Sequence, residues 1–96
     1  MEYAELIDKA KHGRSVNVMA KELGIPQTTL NGYARGDRMP DYTTALILAR
    51  EAGVNALEAL KAIAFEDARR KGMLDTAKKV FRSLLSAAKP RASQAA

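Results

Sequence analysis

The stretch from Val16 to Tyr33 constrains the fold of this chain more than any other segment. It reads V-N-V-M-A-K-E-L-G-I-P-Q-T-T-L-N-G-Y, and its small and apolar residues have the spacing of two short helices that cross at a turn of three to four residues. Ala20 is small where the helices approach, and Gly24 lies at the turn, where a residue without Cβ adopts a positive φ at little cost. This arrangement is a helix-turn-helix, a motif that usually reads DNA.

Length and composition narrow the class of protein. Ninety-six residues suffice for one domain with its own core, and the absence of cysteine excludes disulfides and thiolate metal sites. No apolar run approaches the roughly 20 residues of a membrane span, so we expect a cytoplasmic protein that does not bind membranes. The net charge of +5 favours a polyanionic partner. Much of this excess falls within residues 72–96, which either add phosphate contacts or form a solvated basic tail.

Apolar periodicity and capping residues predict an all-helical chain, and no segment has the alternation typical of a strand. Ser15, Asp41 and Asn55 are the expected N-cap residues. Pro26 suits the first turn of a helix, and Gly36 suits a left-handed exit from it. We expect helices over residues 2–11, 16–23, 26–34, 42–52, 56–71 and 75–88.

The apolar faces of these helices predict the core. Its expected members are Tyr3, Leu6, Ile7 and Ala10, then Met19, Leu23, Ile25, Leu30 and Tyr33, then Tyr42, Ala45, Leu46, Leu48 and Ala49, and finally Leu57, Leu60, Ile63 and Ala64. Tyr33 and Tyr42 are expected to pack with their hydroxyl groups at the edge of the core. A chain of this size needs no further apolar helix faces, so we expect Phe65, Phe81, Leu84 and Leu85 to contact a second copy.

A family resemblance rests on M-A-K-E-L-G-I-P-Q-T-T-L-N-G-Y-A-R-G-D-R-M-P, which resembles the core of lambda-repressor-like helix-turn-helix domains of the Cro/CI type, including their R-G-x-R-x-P exit. The following P-D-Y-T-T-A-L-I-L-A-R-E-A-G-V-N-A-L-E-A-L-K is similar to the fourth and fifth helices of that family. The segment E-D-A-R-R-K-G and the last helix resemble small regulators of filamentous phages and prophages. The resemblance covers residues 2–70 well and residues 72–88 loosely.

The resemblance implies an all-α, five-helix lambda-repressor-like domain over residues 1–71, with an additional C-terminal helix over residues 72–89 as a dimerisation element. We expect residues 90–96 to be a disordered tail. Three positions depart from the family. Ala34 replaces a frequent Glu, Pro26 replaces a frequent Ser or Thr cap, and Gly32 stands where many relatives place a longer polar side chain facing the groove.

The geometry of the major groove assigns roles to the polar residues, because side chains near the start of a helix lying in it reach the base edges. Gln27, Thr28 and Asn31 are the predicted base-reading residues. The predicted phosphate contacts are Arg14, Ser15, Asn17, Lys21, Thr29, Arg35 and Arg38. The alternative for each is an ordinary solvated surface residue.

Two functions fit the sequence. The first is a sequence-specific regulator that binds double-stranded DNA, a phage or prophage repressor acting as a homodimer on an inverted-repeat operator. The second is a protein-interaction module, an antirepressor or lysogeny-control factor that binds another phage or host regulator. With no cysteine, one histidine and no glycine-rich phosphate loop after a strand, the chain offers no route to catalysis, so we predict no enzyme, cofactor or metal.

Overall fold

A computed structural model describes residues 1–94 of the chain, and for residues 87–94 it describes the backbone alone. Over this part the chain forms six α-helices and no strand. They are α1 (Tyr3–Lys11), α2 (Val16–Leu23), α3 (Gln27–Arg35), α4 (Tyr42–Ala52), α5 (Ala56–Arg70) and α6 (Leu74–Gln94). The predicted fold class, a five-helix domain with an additional C-terminal helix, is therefore confirmed.

Three helices begin at a side-chain cap, as the sequence predicts. In each, the side-chain oxygen accepts a hydrogen bond from the backbone N–H three residues further on, a group without a partner inside the first helical turn. The capping residues are Ser15 before α2, Asp41 before α4 and Asn55 before α5. The hydrogen bond from Thr44 also holds the pKa of Asp41 below its usual value. In contrast, α3 has no side-chain cap, since Pro26 occupies its N-cap position.

One core joins the first five helices. α1 packs against α4 and α5, while α2 and α3 pack against each other. Each of the helices α1 to α4 contributes one of the most deeply buried large side chains, which are Leu6, Met19, Leu30 and Leu48. α5 contributes Ala59 and Ala62, whose small side chains let its backbone lie close to its neighbours.

The structure corrects the predicted apolar faces of α4 and α5. Tyr42 is 89% exposed and Leu46 is 62% exposed, so neither belongs to the core. Residues 45–49 are five consecutive apolar residues, and at 100° per residue they point to every side of α4, so periodicity alone does not select the buried side. On α5, Leu57 and Leu60 are half-exposed. The buried residues of α4 are Thr44, Leu48 and Ala49.

The C-terminal helix is longer than predicted. The backbone of α6 continues to Gln94, past the expected end at Ala88 and into the segment that the sequence predicts as a disordered tail. The last two residues of the predicted tail, 95–96, lie outside the described residues. None of the described helices combines the length and apolarity that crossing a bilayer requires.

A buried hydrogen bond ties the start of α1 to the end of α3. The hydroxyl group of Tyr3 donates to the backbone carbonyl of Tyr33 over 2.7 Å, and both side chains are buried. Burial raises the pKa of Tyr3 from its ordinary value of 10.0 to about 12. The bond fixes the C-terminal half of α3 relative to α1.

Replacing Tyr3 with phenylalanine is expected to lower the free energy of unfolding by about 1 kcal/mol at neutral pH, because the carbonyl of Tyr33 loses a donor. Since the pKa of Tyr3 is higher in the folded chain than in the unfolded chain, its contribution is present below pH 10.0 and is lost as the pH rises towards about 12. Denaturant titration of both proteins across this range measures the effect. If the difference in stability between them stayed constant with pH, the role of the hydroxyl group would be wrong.

Candidate nucleic-acid interface

The helix α3 presents a polar side to solvent. Gln27 and Thr28 are exposed in its first turn, and Asn31 is partly exposed one turn later. Gln27, Asn31 and Arg35 follow each other at intervals of four residues, so they lie along one side of the helix. The other side carries Leu30, which is fully buried. Core packing therefore fixes which side of α3 faces outward.

A shallow depression of about 360 Å³ lies between α2 and α3. It brings Asn17 and Lys21 of α2 together with Gln27 at the start of α3. Val18 also lines it and is half-exposed, which gives the surface an apolar point between the polar groups. Sequence analysis missed Val18, although a position three residues before Lys21 lies on the same helix face. The depression thus unites predicted phosphate-contacting and base-reading residues.

The start of α2 borders the same depression. Ser15 is exposed and uses its side-chain oxygen to cap the helix, and Asn17 is the second helical residue. The backbone N–H groups of Val16 and Asn17 belong to the first turn, where a helix supplies no internal partner. Of the remaining predicted phosphate contacts, Lys21 is exposed and Thr29 is partly buried.

Arg38 lies across α3 at Gly32. A Cβ atom built on Gly32 would come within 3.1 Å of the Cδ atom of Arg38, and Gly32 is buried. The carbonyl of Gly32 also accepts hydrogen bonds from the backbone N–H groups of Asp37 and Arg38. Gly32 is therefore not an open position on α3, because the side chain of Arg38 covers it. The missing Cβ lets this arginine lie close against the helix.

Arg14 is a second correction, because its guanidinium group is engaged inside the protein. It donates to the carboxylates of Glu22 at 2.7 Å and Glu51 at 2.9 Å, and to the backbone carbonyls of Ala10 and Lys11. These bonds use four of the five N–H donors of a guanidinium group. The carboxylates of Glu22 and Glu51 raise the pKa of Arg14, which in turn holds the pKa of Glu51 below its usual value. Arg14 joins α1 to α2 and α4, which contradicts its prediction as a phosphate contact.

The C-terminal end of α3 carries further arginines. Arg35 is 72% exposed, with its Nε atom 3.5 Å from a carboxylate oxygen of Asp37. Gly36 follows with a φ of 80°, and a Cβ atom there would come within 2.8 Å of the Nη2 atom of Arg70. Arg70 also donates to Glu66. Sequence analysis missed the approach of Arg70, because no local pattern signals a contact between residues so distant along the chain.

The four residues predicted for dimer contact lie together at the junction of α5 and α6. The rings of Phe65 and Phe81 meet edge to face with their centroids 5.7 Å apart, and both are partly buried. Leu84 and Leu85 are exposed. The two phenylalanines therefore bind α6 to α5 within one chain, and the two leucines present their side chains to solvent.

Comparison with known families agrees with this geometry. A family model described as helix-turn-helix matches residues 6–58, which is more than half of the chain. The match begins within α1 and ends within α5, so it contains α2, α3 and the turn between them. Neither the curated proteins nor the solved structures include a match to this chain. The chain belongs to the lambda-repressor-like, Cro/CI-type helix-turn-helix family of DNA-binding transcription regulators.

Proposed function

We propose that this protein is a sequence-specific repressor that occupies an operator and blocks RNA polymerase. The observation that carries the proposal is the outward side of α3, where Gln27, Thr28 and Asn31 project from a helix whose other side is buried. One α-helix fits the major groove of B-form DNA. The net charge of +5 supports binding to a polyanion.

The base-reading role follows from the chemistry of these side chains. The amide of Gln27 both donates and accepts hydrogen bonds, which matches N6 and N7 of adenine in the major groove. Asn31 offers the same pair of groups on a shorter stem. Thr28 offers a methyl group to thymine or a hydroxyl group to a phosphate. Each good bidentate pair contributes about 1–3 kcal/mol of discrimination.

Phosphate contacts position α3 without reading sequence. The N–H groups at the start of α2, at Ser15 and Asn17, form the partial positive end of the helix dipole and suit one phosphate. The remaining members of the proposed set are Lys21, Thr29, Arg35 and Arg38. The proposed phosphate contact by Arg38 is supported by the packing of its side chain against α3, which keeps its charge beside that helix.

A homodimer on an inverted repeat completes the proposal. One α3 spans only a few base pairs, and a two-fold dimer doubles the contacts by placing two copies of α3 in grooves about 34–36 Å apart. The similarity to small regulators of filamentous phages and prophages supports a role in lysogeny. The junction of α5 and α6 supplies the contact between copies: Leu84 and Leu85 are exposed there, beside Phe65 and Phe81, which pack the two helices together.

Selection of duplexes from a random pool, followed by titration at several salt concentrations, tests this function. We expect the enriched duplex to contain an inverted repeat. The logarithm of its binding constant should fall linearly with the logarithm of the salt concentration, with a slope of about −0.9 per neutralised phosphate. Failure to enrich any sequence, with no duplex binding in dilute buffer, would contradict the proposal.

The second candidate function is a protein-interaction module that binds another phage or host regulator. The observation that favours it is the apolar groove between α5 and α6, which has a volume of about 440 Å³. The same selection distinguishes the two functions, since an antirepressor or lysogeny-control factor of this kind needs no duplex.

Replacing Arg35 with alanine is expected to weaken binding to every duplex by a similar factor and to reduce the salt slope by about one phosphate. The matched control is Arg50→Ala in α4, since Arg50 is 70% exposed and also lies beside a carboxylate. Fluorescence anisotropy with the selected duplex and a scrambled duplex measures both. Equal losses for Arg35→Ala and Arg50→Ala would remove Arg35 from the contact set.

A further inference from the structure

The apolar groove between α5 and α6 is open to solvent along one side. α6 packs mainly on α5, and no third helix of the described part of the chain covers the groove. Phe65 and Phe81 form its floor. Four large apolar side chains of its walls are each exposed by half or more: Leu60, Met73, Val80 and Leu84. Apolar side chains that lie together at a surface in this way usually mark an interaction site.

The dimensions of the groove match a short α-helix. Its lining runs from Leu60 to Lys71 along α5 and from Met73 to Leu84 along α6. At about 1.5 Å per residue each wall is about 16 Å long, which is the length of about three helical turns. The volume of about 440 Å³ leaves room for a row of side chains. An amphipathic helix presents such a row at intervals of three and four residues, and it binds other proteins by laying this row in an apolar groove.

The edge of the groove carries excess positive charge. The charged residues of its lining are Lys61, Asp67 and Lys71. The Nζ atom of Lys71 lies 2.9 Å from the carboxylate of Asp67, so these two charges offset each other. The Nζ atom of Lys61 lies 5.6 Å from the ring centre of Phe81, and the attraction between cation and ring keeps this ammonium group at the groove.

The charge of α6 selects between possible occupants. From Leu74 to Gln94 this helix contains five basic residues and a single acidic one, Asp75. A second copy seated in the groove would bring the same excess of positive charge against it, and like charges across an interface oppose binding. A helix with acidic flanks would be attracted instead. Leu85, which belongs to the proposed contact between copies, lies outside the lining of the groove.

We propose that the groove binds an acidic amphipathic helix of another protein. Its apolar row lies on Phe65 and Phe81 between the walls formed by Leu60 and Val80, and its flanking carboxylates face Lys61 and the basic residues of α6. The proposal rests on the second candidate function, for which it names the class of partner and the residues that take it. It is independent of DNA binding by α3.

Selection from a pool of helical peptides tests the class of partner, with the full-length protein as bait. The apolar row of each peptide varies among leucine, isoleucine, methionine and phenylalanine, and its flanking positions vary between glutamate and lysine. We expect the enriched peptides to carry glutamate on both flanks. Enrichment of lysine, or of no peptide, would overturn the proposal.

The variants Leu60→Glu and Leu57→Glu locate the bound peptide. Both leucines belong to α5 and are 51% and 50% exposed, but only Leu60 lines the groove. Fluorescence anisotropy of a selected peptide should show binding weakened by about 10-fold or more for Leu60→Glu and by less than about 2-fold for Leu57→Glu. Circular dichroism checks that both variants remain helical. Equal losses would place the peptide outside the groove and contradict the proposal.

Lys61→Gln measures the contribution of charge, with Lys9→Gln as its control, because Lys9 lies on α1 and is about half exposed. We expect the selected peptide to bind Lys61→Gln about 3-fold more weakly and Lys9→Gln unchanged. Rising salt should weaken the binding of the peptide to the wild-type protein, since salt screens the charges at the edge of the groove. Binding that neither Lys61→Gln nor salt weakens would contradict the acidic character of the partner.

Two further measurements separate this proposal from its neighbours. Sedimentation with vesicles of phosphatidylserine and phosphatidylcholine, lost in Leu60→Glu while no peptide is enriched, would assign the groove to a lipid surface and overturn the proposal. Titration of Leu60→Glu with the selected duplex tests the repressor function separately. Loss of peptide binding with DNA binding retained is the expected result, and a failure of the peptide selection alone would leave DNA binding standing.

Discussion

The substitution Leu48→Ala is expected to lower the free energy of unfolding by about 2–5 kcal/mol, whereas Leu46→Ala should change it by less than about 0.5 kcal/mol. The two leucines are two residues apart on α4, and the sequence places both on its apolar face. Leu48 is fully buried and Leu46 is 62% exposed. Alanine at position 48 removes apolar contacts and leaves a cavity between helices, whereas alanine at position 46 removes only surface.

Thermal unfolding followed by circular dichroism measures both variants. For a domain of this size, the expected loss for Leu48→Ala lowers the thermal midpoint by roughly 10 °C or more. Leu46→Ala serves as the control for helix propensity, since the same residue is exchanged in the same helix. Similar midpoints for the two variants would mean that α4 turns a different side to the core.

The substitution Gln27→Ala is expected to reduce binding to the selected duplex by about 10- to 100-fold and to change binding to a scrambled duplex little. Gln27 is exposed at the start of α3 and makes no contact that the core depends on, so the variant should keep its stability. In the proposed function the amide recognises a base, and alanine removes both its donor and its acceptor. The loss should concentrate at one base pair of the operator.

Competition titrations with duplexes that differ at single base pairs locate this effect. At the position that Gln27 reads in each half-site, wild-type protein should discriminate between base pairs, and Gln27→Ala should bind all four base pairs there about equally. Arg35→Ala provides the contrast, because it should weaken all duplexes together. A uniform loss for Gln27→Ala would assign Gln27 to the phosphates and leave the reading of bases to other residues.

The elements that the sequence predicts best are those determined by local hydrogen bonds. Ser15, Asp41 and Asn55 cap helices as predicted, because a cap depends on two groups three residues apart. Gly24 and Gly36 adopt the positive φ that a chain reversal after a helix requires. The outward position of Gln27 is also local, since it follows from the burial of Leu30 on the other side of the helix.

The errors arise where distant residues decide. The sequence predicts Arg14 as a surface cation, but in the fold it donates a hydrogen bond to Glu51 of α4. No local sequence pattern indicates that pair. The sequence predicts Gly32 at an open position on the outward side of α3, but the chain after α3 places the side chain of Arg38 over it. Tyr42 is predicted to be in the core because aromatic side chains are usually buried. At the start of α4, however, its side chain is exposed to solvent. Tertiary packing determines each of these positions, and the apolar periodicity of the sequence does not reveal it.

The contacts of Arg14 have a practical consequence for engineering. These hydrogen bonds link α1, α2 and α4, and none of them involves an outward side chain of α3. Randomising positions 27, 28 and 31 should therefore yield libraries whose members still melt near the parent temperature.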